Sequence, residues 1–204
     1  MTQTSPPLNF QRFREFIARF SSLVDAGADE ARIFADGAPL LSALVRHDDW
    51  LPDAFAAPAV GAYRQYLLYC DPRERFSVAS FVWDAGVKTP IHDHTVWGMV
   101  GVMRGAELCH EFAPHRIGDA LKPLGSHRVE PGDVDRVSPT VGDVHVVENA
   151  FADCVSISIH VYGANIGAVR RHVFAGDGTV KDFISGYSNT QLPNFWDRSK
   201  EDFP

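Results

Sequence analysis

Phe10, Phe13, Phe16, Ile17, Phe20 and Leu23 recur at spacings of three and four, which places them on one apolar stripe of an α-helix. Asn9 stands where an N-cap belongs and Gly27 where the helix should stop. A second helical run, APLLSALVRH, carries Pro39 near its first turn, where a missing N–H costs little. The aromatic stripe reads as core packing. DDWLPDAFAAPAVG then breaks the pattern. From about Tyr63 the texture changes to short segments rich in β-branched and aromatic residues: YRQYLLYC, FSVASFVW, GMVGVM, AELCHEF, DVHVVENA and VSISIHVYG. Gly, Pro and Asp separate them, as in an all-β sandwich or barrel. Helix and strand do not alternate over any long stretch, which argues against a doubly wound α/β fold. The pattern divides residues 1–204 into a helical segment (8–50), a barrel (63–175) and an aromatic-rich tail (176–204) expected to pack back on the barrel.

Composition narrows the function. The chain has 204 residues, 45% of them hydrophobic and 22% charged, as in an ordinary globular domain. The net charge of -7 argues against a nucleic-acid surface, since phosphate binding needs clustered Lys and Arg. No basic start followed by an apolar run marks a secretory signal, and no apolar stretch is long enough to span a bilayer. Cys70, Cys109 and Cys154 are scattered and odd in number, so no disulfide framework is expected, and a reducing cytoplasm is the simplest location. The oligomeric state is not readable.

The candidate chemistry lies in TPIHDHTVWG. On a strand, alternate side chains share a face, so His92 and His94 would converge while Asp93 points away. An isolated pair of this kind is ordinarily a solvent-facing polar patch. Here Gly86 precedes the pair, Gly105 follows it, and SPTVGDVHVVENA brings Pro139, Gly142, His145 and Asn149. These two motifs resemble those of the cupin superfamily. The resemblance implies a mainly β, double-stranded β-helix (jelly-roll barrel) with N-terminal helices and with His92, His94 and His145 as ligands of one metal. The position that cupins usually fill with a glutamate ligand is Gly98. Three neutral histidines keep the full charge of a divalent ion and, with Gly98 beside them, leave room for an anionic substrate such as a thiolate. The same three could hold zinc with an activated water, so the ligands alone leave the metal open.

In SISIHVYG, Ser156, Ser158, His160 and Tyr162 fall on one face and Ile157, Ile159 and Val161 on the other. A half-exposed strand with its polar face in water is the ordinary reading. In a small barrel that carries a metal, the same face can instead point into the site as a hydrogen-bonded row. With that row, the sequence looks like the thiol dioxygenases, the cupin family that includes cysteine dioxygenase. The resemblance implies a ferrous ion, Fe(II), on the three histidines, with Ser158, His160 and Tyr162 beside it. Mammalian-type enzymes of that family place a cross-linked cysteine near the position of Gly98, so no such link is expected here. Cys109 and Cys154 read as structural.

From YRQYLLYC to ISGYSN the chain is similar to the bacterial 3-mercaptopropionate dioxygenase branch. Where cysteine dioxygenases carry a carboxylate-binding arginine on an early strand, this chain has Gln65, with Arg64 on the opposite face. By similarity to the branch, Arg171 takes that role, with Arg170 as the adjacent alternative. A guanidinium suits it, because its rigid fork of donors matches a planar carboxylate. The implied reaction oxidises a small thiol carboxylate with dioxygen to the sulfinic acid, 3-mercaptopropionate being favoured. The competing readings are cysteine as preferred substrate, a zinc or nickel cupin, and a non-catalytic cupin sensor. Trp97 lines the pocket or packs in the core, Asp93 orients the loop, and Asn149 supports the barrel turn. His47, His110, His115, His127 and His172 match no motif and read as surface or structural.

Overall fold

The computed structural model describes residues 8–114 and 120–190. His115 and the end of the tail lie outside them. The first helix, α1 (Phe10–Asp25), ends where Gly27 takes a positive φ and its N–H reaches back to Val24 O at 3.0 Å. The second helical run begins earlier than Pro39 suggests. Asp29 caps α2 (Glu30–Arg32) by accepting from the Arg32 N–H at 2.9 Å, and a π-helical turn (Ile33–Gly37) joins it to α3 (Ala38–Val45). Pro39 lacks the N–H that a regular helix would require there, and the wider turn ahead of it absorbs the break.

The strands are β1 (Tyr63–Cys70), β2 (Ser77–Trp83), β3 (Ile91–His92), β4 (Gly98–Arg104), β5 (Glu107–Phe112), β6 (Pro123–Val129), β7 (Val134–Val137), β8 (His145–Asn149), β9 (Ser156–Tyr162), β10 (Arg171–Phe174) and β11 (Val180–Phe183). One sheet runs β1-β2-β9-β4-β7 and the other β11-β10-β3-β8-β5-β6. All the pairings are antiparallel, and four of them nest: β5 with β6, β4 with β7, β3 with β8 and β2 with β9. That is a long hairpin rolled into two facing sheets, the jelly roll or double-stranded β-helix. The fold class is therefore mainly β of the cupin kind, with helices at the N-terminal end.

The helices decide which face of the first sheet is which. Phe16, Phe20, Leu41 and Val45 pack with Val78, Val82, Met99, Ile157, Ile159 and Val161, so the aliphatic side of β9 is sealed under helices. The other side of β9 then faces the barrel interior, where Phe81, Trp83, Val147 and Tyr162 form a second, smaller core. Every residue of β9 is buried, so its polar face does not meet water. In the described part of the tail, residues 184–190 return along β1. Asn189 there bonds both the N–H and the carbonyl of Leu67, at 2.8 and 3.0 Å.

Candidate metal centre

His92 closes the short strand β3 and pairs across the ladder with His145 at the start of β8. His94 lies beyond β3, so the pair does not share one regular strand as the alternation suggests. Asp143 holds His94 there, accepting from its backbone N–H and from its ring, each at 3.0 Å, and the chain turns just after it at Thr95, with φ of 60°. The three ring centroids are 4.8–4.9 Å apart, and their ligand nitrogens all lie within 4.8 Å of one another.

Each ring is held from behind. Nδ1 of His92 is 3.0 Å from the Pro90 carbonyl, that of His94 is 3.0 Å from Asp143 Oδ1, and that of His145 is 3.4 Å from Cys109 Sγ. Carbonyl and carboxylate accept, so Nδ1 donates in the first two rings and Nε2 is left with its lone pair. Such outer partners fix the tautomer of a metal-binding imidazole. Burial, reinforced by the neighbouring rings, pushes the pKa values of His92 and His145 well below the ordinary histidine range, which keeps both neutral and available as ligands. The donor set fits a divalent ion of the first transition row. Asp93 turns outward, as expected, and its carboxylate accepts from the backbone and ring of His172, each at 2.7 Å.

The row on β9 faces the same cavity. Ser158 Oγ is 2.8 Å from His160 Nε2, and His160 Nδ1 is 2.8 Å from the Tyr162 hydroxyl. The Trp83 indole donates to Ser158 Oγ at 3.2 Å, and the Phe81 ring stacks on His160 at 3.9 Å. Tyr162 lies against His94, with ring centroids 5.5 Å apart. Burial drives the His160 pKa down and the Tyr162 phenol up, so one ring is neutral and the other retains its proton. Gly98 does not leave open space, contrary to expectation. A Cβ there would meet the Tyr162 ring at 2.7 Å, so the tyrosine fills the volume that a larger residue would take.

The cavity has a volume of about 180 Å³. Besides the three histidines, His160 and Tyr162, it is lined by Gln65, Tyr63, Arg171, Phe183 and Ser185. The two arginines separate here. Arg170 is exposed and paired with Asp182 at 3.1 Å, whereas Arg171 is buried, stacks over Phe183 and donates to Ser185 Oγ at 2.6 Å. Two buried donors in the cavity have no partner among the described residues: Arg171 Nε and Gln65 Nε2. Unsatisfied buried donors of this kind are the groups with which an anion would be bound. Arg64 is exposed, on the other face from Gln65.

Trp97 does not line the cavity but packs between Phe20 and Gly163. Asn149 braces the turn, its amide donating to the carbonyls of Asp84 and Cys154 at 3.1 and 2.8 Å. Sequence reasoning missed Asp143, which also accepts from the backbone N–H groups of His94 and Thr95. Its place two residues before His145 was the available signal. It also missed that Cys109 lies against a ligand ring, and for that the sequence holds no signal.

No protein-family model matches the chain. Among solved structures it is similar to an oxalate oxidase in complex with glycolate, at 17% identity and TM-score 0.41 over 52% of this chain and 53% of that one. It is also similar to a conserved protein with a double-stranded β-helix domain from Klebsiella pneumoniae, at 14% identity and TM-score 0.44 over 67% and 97%. The Schizosaccharomyces pombe Cnp3 cupin domain matches at 12% identity and TM-score 0.39 over 50% and 61%. The match spans about half the length of the oxalate oxidase. No helix among the described residues is long and apolar enough to cross a membrane.

Proposed function

We propose that the protein is a non-haem iron thiol dioxygenase that converts a small thiol carboxylate, 3-mercaptopropionate in preference to cysteine, to its sulfinic acid. One observation carries this reading: three convergent histidines, the His160-Tyr162 end of the Ser-His-Tyr row and a buried arginine with an unpartnered Nε line the same small cavity. In the overall reaction one thiol and one dioxygen give one sulfinic acid. Both oxygens end on sulfur, the thiol supplies the electrons and no other reductant is consumed. A ferrous ion on His92, His94 and His145 supplies a Lewis-acidic, redox-active centre with open positions.

The chain's own residues then do the following. Arg171 and Gln65 offer their unpartnered N–H groups to the substrate carboxylate. Tyr162, kept protonated by burial, presents its hydroxyl beside His94 to the reacting end. His160 and Ser158 fix the direction of that hydroxyl. Aromatic walls exclude bulk water and set substrate length. A cavity of about 150 Å³ holds benzene, a six-heavy-atom ligand, and 3-mercaptopropionate has the same number of heavy atoms. Among the described residues no Asp or Glu lines the cavity, so they offer no counter-charge to the ammonium of cysteine. That favours the substrate without an amine.

The test is oxygen uptake by the iron-loaded protein across a panel of small thiols, with catalytic efficiency compared between 3-mercaptopropionate and cysteine. Uptake with 3-mercaptopropionate and a product of the sulfinic-acid mass is expected. A strong preference for cysteine overturns the substrate assignment. No uptake with any thiol overturns the enzyme assignment in favour of a binding protein.

A further inference from the structure

Glu107 opens β5 and is a carboxylate that the reaction above does not use. It is 1% exposed, and its Oε1 is buried with no hydrogen-bond partner among the described residues. The Ser158 hydroxyl and the Trp83 indole, at the far end of the row that leads to Tyr162, are the polar groups that pull toward its ionised form. A buried carboxylate with an orphaned oxygen and no cation against it favours the neutral acid. A neutral acid donates where a carboxylate only accepts.

The geometry points to Glu107 as the positioning residue that sets the direction of the Ser158-His160-Tyr162 row, and so whether Tyr162 shows the cavity an O–H or a lone pair. The two directions follow from counting donors. With Glu107 ionised, Ser158 O–H donates to it, His160 Nε2–H donates to Ser158, and Tyr162 O–H donates back to His160 Nδ1. The cavity then meets only a tyrosine lone pair. With Glu107 neutral, its O–H donates to Ser158 and Ser158 O–H donates to His160 Nε2. His160 Nδ1–H then donates to the tyrosine oxygen, and Tyr162 O–H is free to point into the cavity. In both arrangements Ser158 Oγ also accepts from Trp83 and uses its full bonding capacity.

Burial raises the Glu107 carboxyl to about 7, against the opposing pull of Ser158 and Trp83, so both arrangements fall within an accessible pH range. The charged group acting on it is Asp135 of β7, which also opposes ionisation. Cys109 of β5 and Tyr162 of β9 feel its charge in turn, and both stay protonated because burial raises them. The consequence for catalysis rests on the proposed role of Tyr162, but the switch itself does not.

The test reads the proton directly. The ring nitrogen shifts of His160 are followed by ¹⁵N NMR, assigned against His160→Asn, alongside pH-difference infrared spectra of the carboxyl region. In the wild type the His160 proton is expected to move from Nδ1 to Nε2 as the pH rises through about 7, while a protonated-carboxyl band disappears. In Glu107→Gln the amide still donates but cannot ionise, so the proton stays on Nδ1 at every pH and the band is absent. A wild-type tautomer that never changes overturns the proposal, and so does a change that survives in Glu107→Gln. The wild-type spectra decide alone if the variant does not fold. Neither measurement uses oxygen uptake, so a protein that oxidises no thiol still gives an answer.

Discussion

A Cβ added to Gly98 would lie 2.7 Å from Cδ1 and Cε1 of the Tyr162 ring, and 2.9 Å from Val137 Cγ2. The glycine and the tyrosine are therefore one feature: the residue that lost its side chain admits the residue that carries the hydroxyl. Gly98↔Tyr162 is also a ladder pair between β4 and β9, so neither backbone can retreat without breaking the sheet.

Gly98→Ala is expected to destabilise the fold by about 1–3 kcal/mol, the usual range for overpacking a filled core. Tyr162 should shift while the three histidines keep their metal. Thermal unfolding with metal titration separates the two effects. A variant with unchanged stability and activity would show that the ring has space to move.

Asp143→Ala removes the acceptor that orients His94. Loss of such a partner is expected to weaken metal affinity about 10–100-fold, whereas His94→Ala should abolish tight binding. Competition with a chelating indicator measures both. Equal affinity in wild type and Asp143→Ala would reject the orienting role.

Arg171→Ala should raise the Michaelis constant for a thiol carboxylate by about tenfold or more, since a charged hydrogen bond contributes about 1.5–3 kcal/mol. Arg170→Ala, at an exposed ion pair, should leave it unchanged. Steady-state kinetics on both variants decides between neighbours that the sequence could not separate. Matching Michaelis constants in the two would remove Arg171 as the anchor.

Acid should destabilise the metal-free protein. His92, His145 and His160 are held neutral in the fold, with folded pKa values lowered by burial. Below the ordinary histidine value of about 6.5 the unfolded chain takes up protons that the folded chain refuses, so stability falls as the pH drops. Each such histidine removes up to about 1.4 kcal/mol per pH unit. Glu107 acts in the opposite sense. Its folded value of about 7 lies above the ordinary carboxyl value of 4.5, so its contribution is whole at low pH and is lost as the pH rises through about 7. Three groups outweigh one, and the net slope between these values follows the histidines. Denaturant melts at about pH 7 and about pH 5.5 measure it, and bound metal, which also keeps protons off the folded ligands, should leave the slope no shallower. A pH-independent midpoint in the metal-free protein would mean that the histidines are not held neutral.

Much of the site was legible. His92, His94 and His145 were marked by motifs that resemble those of the cupin superfamily, and an all-β sandwich or barrel by short strands broken at turn residues. The route by which the histidines meet was not. His94 lies beyond the end of β3 and is held by Asp143, 49 residues on, a contact that spacing along the chain does not show. Strands β6, β7, β10 and β11 were also unread. They are short, or carry exposed polar residues such as those of PLGSHRV, and they owe their pairing to partners distant in the chain.

In SISIHVY the alternation by itself determined that Ser158, His160 and Tyr162 share a face and that the isoleucines share the other, because successive side chains of a strand point to opposite sides. It also determined that α1 carries one apolar stripe needing cover. Only the tertiary structure decided what each face meets. Docking of Phe16, Phe20, Leu41 and Val45 on the aliphatic side removed that side from water and turned the polar side inward, toward the histidines. Pattern is a local property of the chain, whereas burial on both faces needs contacts between segments far apart in sequence, and no single segment specifies those.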